Sequence, residues 1–448
     1  MNFYSNKIPL VCSKTIEIPV FDNIADEAIF IARHVLSKND IIVIDCYNFD
    51  TNYEQILKEN SFKLVCIDDL FNRHFVADII INHGGGITNK KYSVEHYTRL
   101  YLGTKYSILR QSFFYNSAQS FKQLDMKSAF INLGGTDIYN YTLKALKQCL
   151  KIKDITQIDI VIGSCYKFTN ELNSCITKYP NVKINVHKNI SEEKMCELMQ
   201  HFSVGICSAS TVSYEYATVG GVLFLYKTAD NQKNNYSYFL KNNLAFRISN
   251  LSKICANFRI INNYTKYLEH RSLFFSGNSQ QNIVSIFENL EKERNLKARL
   301  AQENDLTTYF NWVNEQQVRE NSINQNLITL ESHSTWFLAR LNSDKTLLYF
   351  FEKNNIPLGQ VRFDIVNNCA EIDYSIDVKF RKQGYGEVML TTAIWSLKTI
   401  FPKVKFLAQV KQSNVALNKV FEKIFFKKTS EVSINKEKYN NYEFKFSK

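Results

Sequence analysis

Arg381-Lys382-Gln383-Gly384-Tyr385-Gly386 follows a strand-like run, EIDYSIDV (371–378), and opens an apolar helical stretch, EVMLTTAIWSLK. Glycines at 384 and 386 let the backbone come close to a ligand and leave first-turn N–H groups of the helix unpaired. That is the chemistry of an anion cradle, and Arg381 adds a positive charge suited to a diphosphate. A plain strand-to-helix turn has the same outline, so the surrounding residues decide between the two. On the preceding strand, Glu371 and Asp373 are possible proton acceptors, directly or through water. As solvated carboxylates of an edge strand they would do no chemistry, and the residue types alone leave both readings open.

A second constellation lies upstream. Asn132-Leu133-Gly134-Gly135-Thr136-Asp137 ends a strand and opens a helix, with glycines for close backbone approach and Thr136 or Asp137 to cap the helix. Ser208-Ala209-Ser210-Thr211 precedes a helix carrying Glu215, then Gly220-Gly221, an apolar strand and Ala229-Asp230-Asn231-Gln232. A small-residue turn followed by a helical carboxylate suits a nucleotide: backbone amides for the diphosphate, Glu215 for ribose hydroxyls. Taken singly, each segment is equally an ordinary turn. His83-Gly84-Gly85-Gly86 also follows a strand, whereas His187 and His201 read as structural or surface residues.

These residues need elements to hold them. Residues 23–37 (NIADEAIFIARHVLS) carry a helical period, and 41–45, 63–68 and 77–82 are short runs that are apolar throughout. Such runs mark a parallel sheet covered on both faces. The pattern repeats at 128–135, a helix at 138–151, 158–163, 182–186, a helix at 191–202, 204–210 and 221–226. Two βα arrays in tandem predict an α/β protein with two Rossmann-like lobes facing across a cleft, in residues 1–125 and 126–295. A charged closing helix is expected over 280–300. After it come helical segments in 304–331, Trp336, and the strands 346–355 and 357–378, with an Asn-rich turn at 366–368. A helix, a strand, a helix and a last aromatic strand at 439–446 complete an α+β domain over 296–448.

The chain has 448 residues, 45% of them hydrophobic and 22% charged, so composition does not make it disordered. The net charge of +12 comes from scattered residues, with no block of five or more like charges, which argues against nucleic acid as a partner. Ten cysteines, at 12, 46, 66, 149, 165, 175, 196, 207, 255 and 369, form no C-x-x-C pair and read as buried free thiols. No apolar run is long enough for a membrane span and no leader is evident, so a soluble, reduced, cytoplasmic protein without a metal is expected.

The cradle and the segments C-terminal to it resemble the GNAT superfamily of N-acetyltransferases, whose acetyl-CoA diphosphate loop reads Q/R-x-x-G-x-G/A. Lys411-Gln412-Ser413-Asn414-Val415-Ala416 and Phe421-Glu422-Lys423-Ile424-Phe425-Phe426 resemble that family's V-x-x-x-N-x-x-A and (Y/F)-E-K-x-G-F segments. The resemblance covers about 297–448 and implies a GNAT fold. Carried over, Val378, Arg381, Gly384, Tyr385 and Gly386 hold acetyl-CoA, Asn414 contacts its pantetheine arm, and the strand 370–378 runs beside that arm. Glu371 and Asp373 become the candidate catalytic bases. Phe421 stands where many relatives place a proton-donating tyrosine, and Phe425 replaces a glycine.

The front two-thirds resemble the UDP-sugar hydrolases of pseudaminic acid biosynthesis, relatives of the two-lobed GT-B glycosyltransferases. The carriers are Ile44-Asp45-Cys46-Tyr47, Ile67-Asp68-Asp69, Ala77-Asp78 to Asn82, Gly103 to Phe113 with Tyr106, Leu109 and Arg110, then Gly134-Gly135-Thr136-Asp137 and Asn231-Gln232. The resemblance implies a UDP-sugar substrate held by Gly134, Gly135, Asp137, Ser208, Ser210, Thr211, Glu215, Asn231 and Gln232. That family begins with a G-x-G-H turn, and nothing like it occurs in residues 1–40, so the first lobe enters one βα unit late. Three readings compete. The chain acetylates a UDP-4-amino-trideoxysugar with a fused hydrolase-like part; or it does so beside an inactive nucleotide-sugar module; or it acetylates a protein amine. Weak or absent hydrolysis is expected.

Overall fold

The computed structural model describes residues 16–45, 47–115, 126–258, 261–424 and 426–444; Cys12, Cys46 and Phe425 lie outside them. The described residues of the first lobe form six strands: β1 (Ile41–Ile44), β2 (Lys63–Ile67), β3 (His74–Phe75), β4 (Ile79–Asn82), β5 (Ser93–Val94) and β6 (Arg99–Leu102). β1, β2, β4 and β6 pair in parallel in that order, and β3 pairs with β5. Runs such as IIIN are buried on both faces, as the apolar pattern required. Strand order never reverses in this sheet, so its described residues form no crevice of the kind that binds ligands where order reverses.

The second lobe differs. Its strands are β7 (Ser128–Asn132), β8 (Gln157–Ile162), β9 (Lys183–Lys188), β10 (Val204–Ser208), β11 (Val222–Tyr226) and β12 (Phe246–Arg247), all parallel, in the order β12-β11-β10-β7-β8-β9. The chain starts in the middle, moves outward through β8 and β9, then returns to the other side of β7. That reversal between β7 and β10 is the doubly wound switch point.

The third sheet contains β13 (Leu296–Leu300), β14 (Thr346–Lys353), β15 (Ile356–Val366), β16 (Cys369–Ile376), β17 (Lys405–Lys411), β18 (Phe426–Ile434) and β19 (Glu437–Phe444), ordered β13-β14-β15-β16-β17-β19-β18. Every pairing is antiparallel except β16 with β17. The hairpins turn through Asn354-Asn355, Asn367-Asn368 and Asn435-Lys436, each residue at positive φ, the backbone that matches strand twist in a two-residue loop. The Asn-rich turn at 366–368 is therefore a hairpin, as expected.

Three expectations need correction. The helix read over 280–300 ends at Arg294, and Leu296–Leu300 is the edge strand β13. The stretch 304–331 splits into short helices at Leu306–Val313 and Gln316–Asn321, while Trp336 lies inside the helix Leu330–Leu341. β18 has no counterpart among the expected strands, because its side chains are almost all exposed and give no apolar signal.

The helix Ser279–Arg294, assigned by sequence to the second lobe, packs on the first: Ile286 and Leu290 bury against Val65, Ile79 and Ile81. Its Glu293 binds Arg99 at 2.9 Å and Lys63 at 3.2 Å, and on its other side Asn289 donates to Glu387 in the third domain at 2.7 Å. Burial opposes the charge on Glu293, but Arg99 and Lys63 outweigh it and hold the carboxyl below its ordinary value. A carboxyl lowered on folding stabilises above its unfolded pKa, about 4.3, and that contribution is lost as pH falls through the folded value. The urea midpoint should therefore drop between about pH 5 and about pH 3, and drop less in Glu293→Gln; equal drops would show that this pair does not anchor the helix.

The described cysteines are free, with Cys66, Cys149, Cys175, Cys196, Cys207 and Cys255 buried, Cys165 exposed and Cys369 half-buried. Among the described residues no helix is long and apolar enough to cross a membrane.

Candidate functional site

β16 and β17 begin as neighbours and then part. They pair from Cys369–Lys405 to Glu371–Leu407, and beyond that point their facing edges are free of each other. β16 keeps β15 on its other side and β17 keeps β19. The result is a wedge whose walls do not pair with each other; at its open end the Ile376 carbonyl accepts from Arg381 Nε and the Lys411 carbonyl from Asn418, both at 3.0 Å, and the strand edge between is a template for an extended amide-bearing ligand. Because the two strands are parallel, the segments after both of them stand at the wedge mouth.

On one side of that mouth lies the cradle. Lys382 (φ 60°) and Gly384 (φ 82°) are left-handed, and Gly384 caps the helix Tyr385–Ile400 with no side-chain hydrogen bond to its first amides. Those amides are open to an anion. A Cβ on Gly386 would lie 3.1 Å from the Tyr374 hydroxyl and 3.2 Å from Ile376, so a side chain here would press on the ends of both. Two assignments change here. Arg381 does not face the cradle: its guanidinium binds Glu315 at 2.6 Å and Gln317 at 2.7 Å, tying the loop after Leu306–Val313 to the end of β16. The Tyr385 ring is buried against Phe380, so only its backbone reaches the cradle. Val378 is exposed beside it. Across the mouth, Asn414 caps the helix Val415–Lys423 through Oδ1, which accepts from the Leu417 N–H at 3.1 Å.

The two faces of β16 differ. Ile372, Tyr374 and Ile376 pack towards the core that includes Phe421 and the cradle helix. Glu371, Asp373 and Ser375 point the other way, across from Asp364, Arg362 and Gln360 on β15. Asp373 is held there by Gln360 (3.3 Å) and Arg362 (3.6 Å), and Arg362 lies under the Trp336 ring. The Glu371 side chain is exposed and has no hydrogen bond or ion pair among the described residues. It stands where the wedge begins. Phe421 is buried between Tyr374 and Tyr442. The Tyr442 hydroxyl is satisfied by Asn418, whereas that of Tyr374 has no partner among the described residues. No motif in the sequence singles out Tyr374, although its parity on the strand, opposite to Glu371 and Asp373, places it on the wedge's helical side.

In the second lobe the ends of β7 and β10, neighbours at the switch point, carry four of the expected residues. Gly134 (φ 94°) and Gly135 follow β7, and a Cβ on either would meet nothing within 4 Å. Ser208 ends β10 and Ser210 follows it, their hydroxyls 2.8 Å apart. Ser210 therefore leaves the helix Thr211–Val219 without a side-chain cap, and Thr211 is exposed at its start. The helix after β7 is different: the Asp137 carboxylate takes the N–H groups of Tyr141 (2.8 Å) and Thr142 (2.7 Å), filling that anion seat from within the chain. Asp137 is thus a capping residue, and of these two helices the 211–219 helix is the one without a side-chain cap. Gln232 closes its own loop by accepting from the Thr228 N–H, and Asn231 is exposed.

Glu215 also needs correction. It is 3% exposed, and both its oxygens are taken by Arg110, at 2.7 Å and 2.8 Å. Buried and bridged on both oxygens by Arg110, the carboxylate serves first as the partner of that guanidinium. It joins the segment leaving the first lobe to a helix of the second.

The lobes also meet at His83. Its ring lies 5.2 Å from that of Tyr214, whose hydroxyl accepts from the Gly85 N–H. Burial pulls the imidazole below its ordinary pKa, with Asp69 opposing, so His83 is neutral near pH 7. His187 is bound by Asp159, and His201 ends a helix with its ring on the Glu197 carbonyl, as structural and surface histidines do.

Residues 295–427 match the family model of the acetyltransferase (GNAT) domain. The chain is 27% identical over 413 residues to an uncharacterized protein of Methanocaldococcus jannaschii, a match covering 88% of this chain and 82% of that one. It is 26% identical over 216 residues to the UDP-2,4-diacetamido-2,4,6-trideoxy-beta-L-altropyranose hydrolase of Campylobacter jejuni, covering 46% of this chain and 74% of the hydrolase. A solved structure of spermidine N-acetyltransferase from Vibrio cholerae with CoA and spermine aligns over 33% of this chain and 94% of its own, at 15% identity and a TM-score of 0.32. The chain carries a GNAT acetyltransferase domain at its C-terminal end, and its N-terminal region is weakly similar to a UDP-sugar hydrolase.

Proposed function

We propose that the protein is an acetyl-CoA-dependent N-acetyltransferase acting on the 4-amino group of a UDP-4-amino-trideoxysugar. Its front half is hydrolase-like, holds the nucleotide sugar, and belongs with pseudaminic acid biosynthesis. One observation carries this: a single chain has both the β16–β17 wedge with its uncapped cradle and a parallel sheet reversing at Gly134, Gly135, Ser208 and Ser210. The substrate for which the Campylobacter relative is named supports it, since that sugar bears an acetamido group at position 4, the group such a transfer would make.

Acetyl-CoA, when bound, supplies an activated acyl thioester. The glycine cradle receives its diphosphate on the open amides at 384–386, and the free edge of β16 pairs with its amide-bearing arm. An N–H of that edge stabilises the oxyanion. Glu371 takes the proton of the attacking amine, and Asp373 is fixed beside it by Arg362. Phe421 has no proton to give. Tyr374 does, and burial, which raises its pKa, keeps the phenol protonated.

The test is mass spectrometry of products from acetyl-CoA and a panel of UDP-sugars with and without a free 4-amine. Acetylation confined to the amino sugars supports the reading, and acetylation of protein amines alone overturns it. Gly384→Ala is expected to weaken CoA binding by about 1–3 kcal/mol and to add about 1 kcal/mol of backbone strain. Unchanged CoA affinity by calorimetry would remove 381–386 from the site.

A second activity, hydrolysis of the UDP–sugar bond by the front half, is favoured by one observation, the place of His83 between the lobes with its ring 5.2 Å from that of Tyr214. UDP release lost in His83→Ala would assign it the role of base. Release that is absent in the unaltered chain leaves the front half a binding module.

A further inference from the structure

The helix Ser279–Arg294 brings a cation to the cradle from outside the acetyltransferase domain. Lys292 precedes the first residue matched to that family, 295, yet its side chain reaches Gly384. A Cβ built on Gly384 would lie 2.8 Å from Lys292 Nζ and 3.8 Å from its Cε. The ammonium thus stands against the residue that caps the cradle helix, where the first amides have no side-chain partner. Among the described residues the Lys292 ammonium has no hydrogen bond or ion pair. The acid nearest in sequence to the cradle, Glu387, is engaged by Asn289 at 2.7 Å and Lys423 at 4.0 Å. Arg381, the cation that sequence placed here, is bound to Glu315.

We propose that Lys292 is the cradle's cation, binding the diphosphate of the acyl-CoA substrate, so that the acetyltransferase site is completed by a helix anchored on the first lobe. This rests on the acetyl-CoA reading of the cradle. The anchor is specific. Glu293 is tied to Arg99 and Lys63, Asn282 donates to the Lys105 carbonyl at 2.8 Å, and Ile286 and Leu290 sit in the first lobe's core. The first lobe therefore sets where Lys292 stands relative to Gly384. A point charge beside open amides attracts a doubly charged diphosphate more strongly than the amides alone, and salt weakens that attraction. Cofactor affinity then depends on contacts that the helix makes with the first lobe, so Arg99→Met should weaken CoA binding without altering the cradle.

The experiment is titration calorimetry of CoA, and of pantetheine lacking the diphosphate, into the full chain and its Lys292→Gln and Lys292→Arg variants. Melting curves run alongside. Lys292→Gln is expected to melt like the unaltered protein, to raise the CoA dissociation constant roughly 10- to 100-fold, and to leave pantetheine binding unchanged. Lys292→Arg should restore most of the CoA affinity. The salt dependence of CoA binding should be shallower in Lys292→Gln. Equal CoA affinity in Lys292→Gln and the unaltered chain, or equal weakening of CoA and pantetheine, would overturn the inference while leaving the acetyl-CoA reading in place. No CoA binding by the unaltered chain at millimolar ligand would overturn that reading itself.

Discussion

Replacing Arg110 by alanine is expected to cost about 3–5 kcal/mol of stability, and replacing Glu215 clearly less. The asymmetry comes from burial. The Glu215 side chain is 4% exposed, while that of Arg110 is 41% exposed. Without Arg110 a carboxylate is left inside the protein with no counter-charge, whereas without Glu215 the guanidinium can turn to water. Urea unfolding of the two single variants and of Arg110→Ala/Glu215→Gln checks this. The double variant should recover much of the loss, because the buried charge has gone. Equal losses in both single variants would show that the pair is not what holds these segments. In the same proteins UDP affinity should follow stability; a selective loss of UDP binding in a well-folded Glu215→Ala would return the carboxylate to the ribose.

The second large effect is on turnover. Glu371→Gln is expected to lower kcat for acetyl transfer by about 10²–10⁴-fold, with KM for acetyl-CoA little changed. Glu371 stands at the last paired position of β16 and β17, its side chain exposed and without a partner among the described residues, so the carboxylate is available to an incoming amine. Asp373, two residues on, is engaged by Arg362 and Gln360, and Asp373→Asn should cost less. Steady-state kinetics of both variants with a fixed amino-sugar acceptor decides. A kcat within about threefold of the unaltered value in Glu371→Gln, with a large loss in Asp373→Asn, would exchange their roles.

Local features are legible in the sequence where a single segment carries its own geometry. The spacing of Gly384 and Gly386 marks the cradle, the unbroken apolar runs mark the parallel strands, and Asn367-Asn368 marks a hairpin. Tertiary partners are not legible. Nothing near Arg381 or Glu215 in sequence announces Glu315 or Arg110, and these partners withdraw both side chains from the roles their motifs suggest. Leu296–Leu300 reads LKARL, which fits a helix as well as a strand, and only pairing with β14 decides it. Lys292 lies on a charged helical face, where one lysine looks like any other until the fold sets it against Gly384.

Action on a nucleotide-bound amino sugar is tested most directly by comparing kcat/KM for acetyl transfer to a UDP-4-amino-trideoxysugar and to the same amino sugar without the nucleotide. A front half that holds the UDP group predicts a preference of at least about tenfold for the nucleotide form, the equivalent of about 1.4 kcal/mol of binding, and free UDP should compete the preference away. Equal kcat/KM for the two acceptors, unaffected by UDP, would contradict the proposed function.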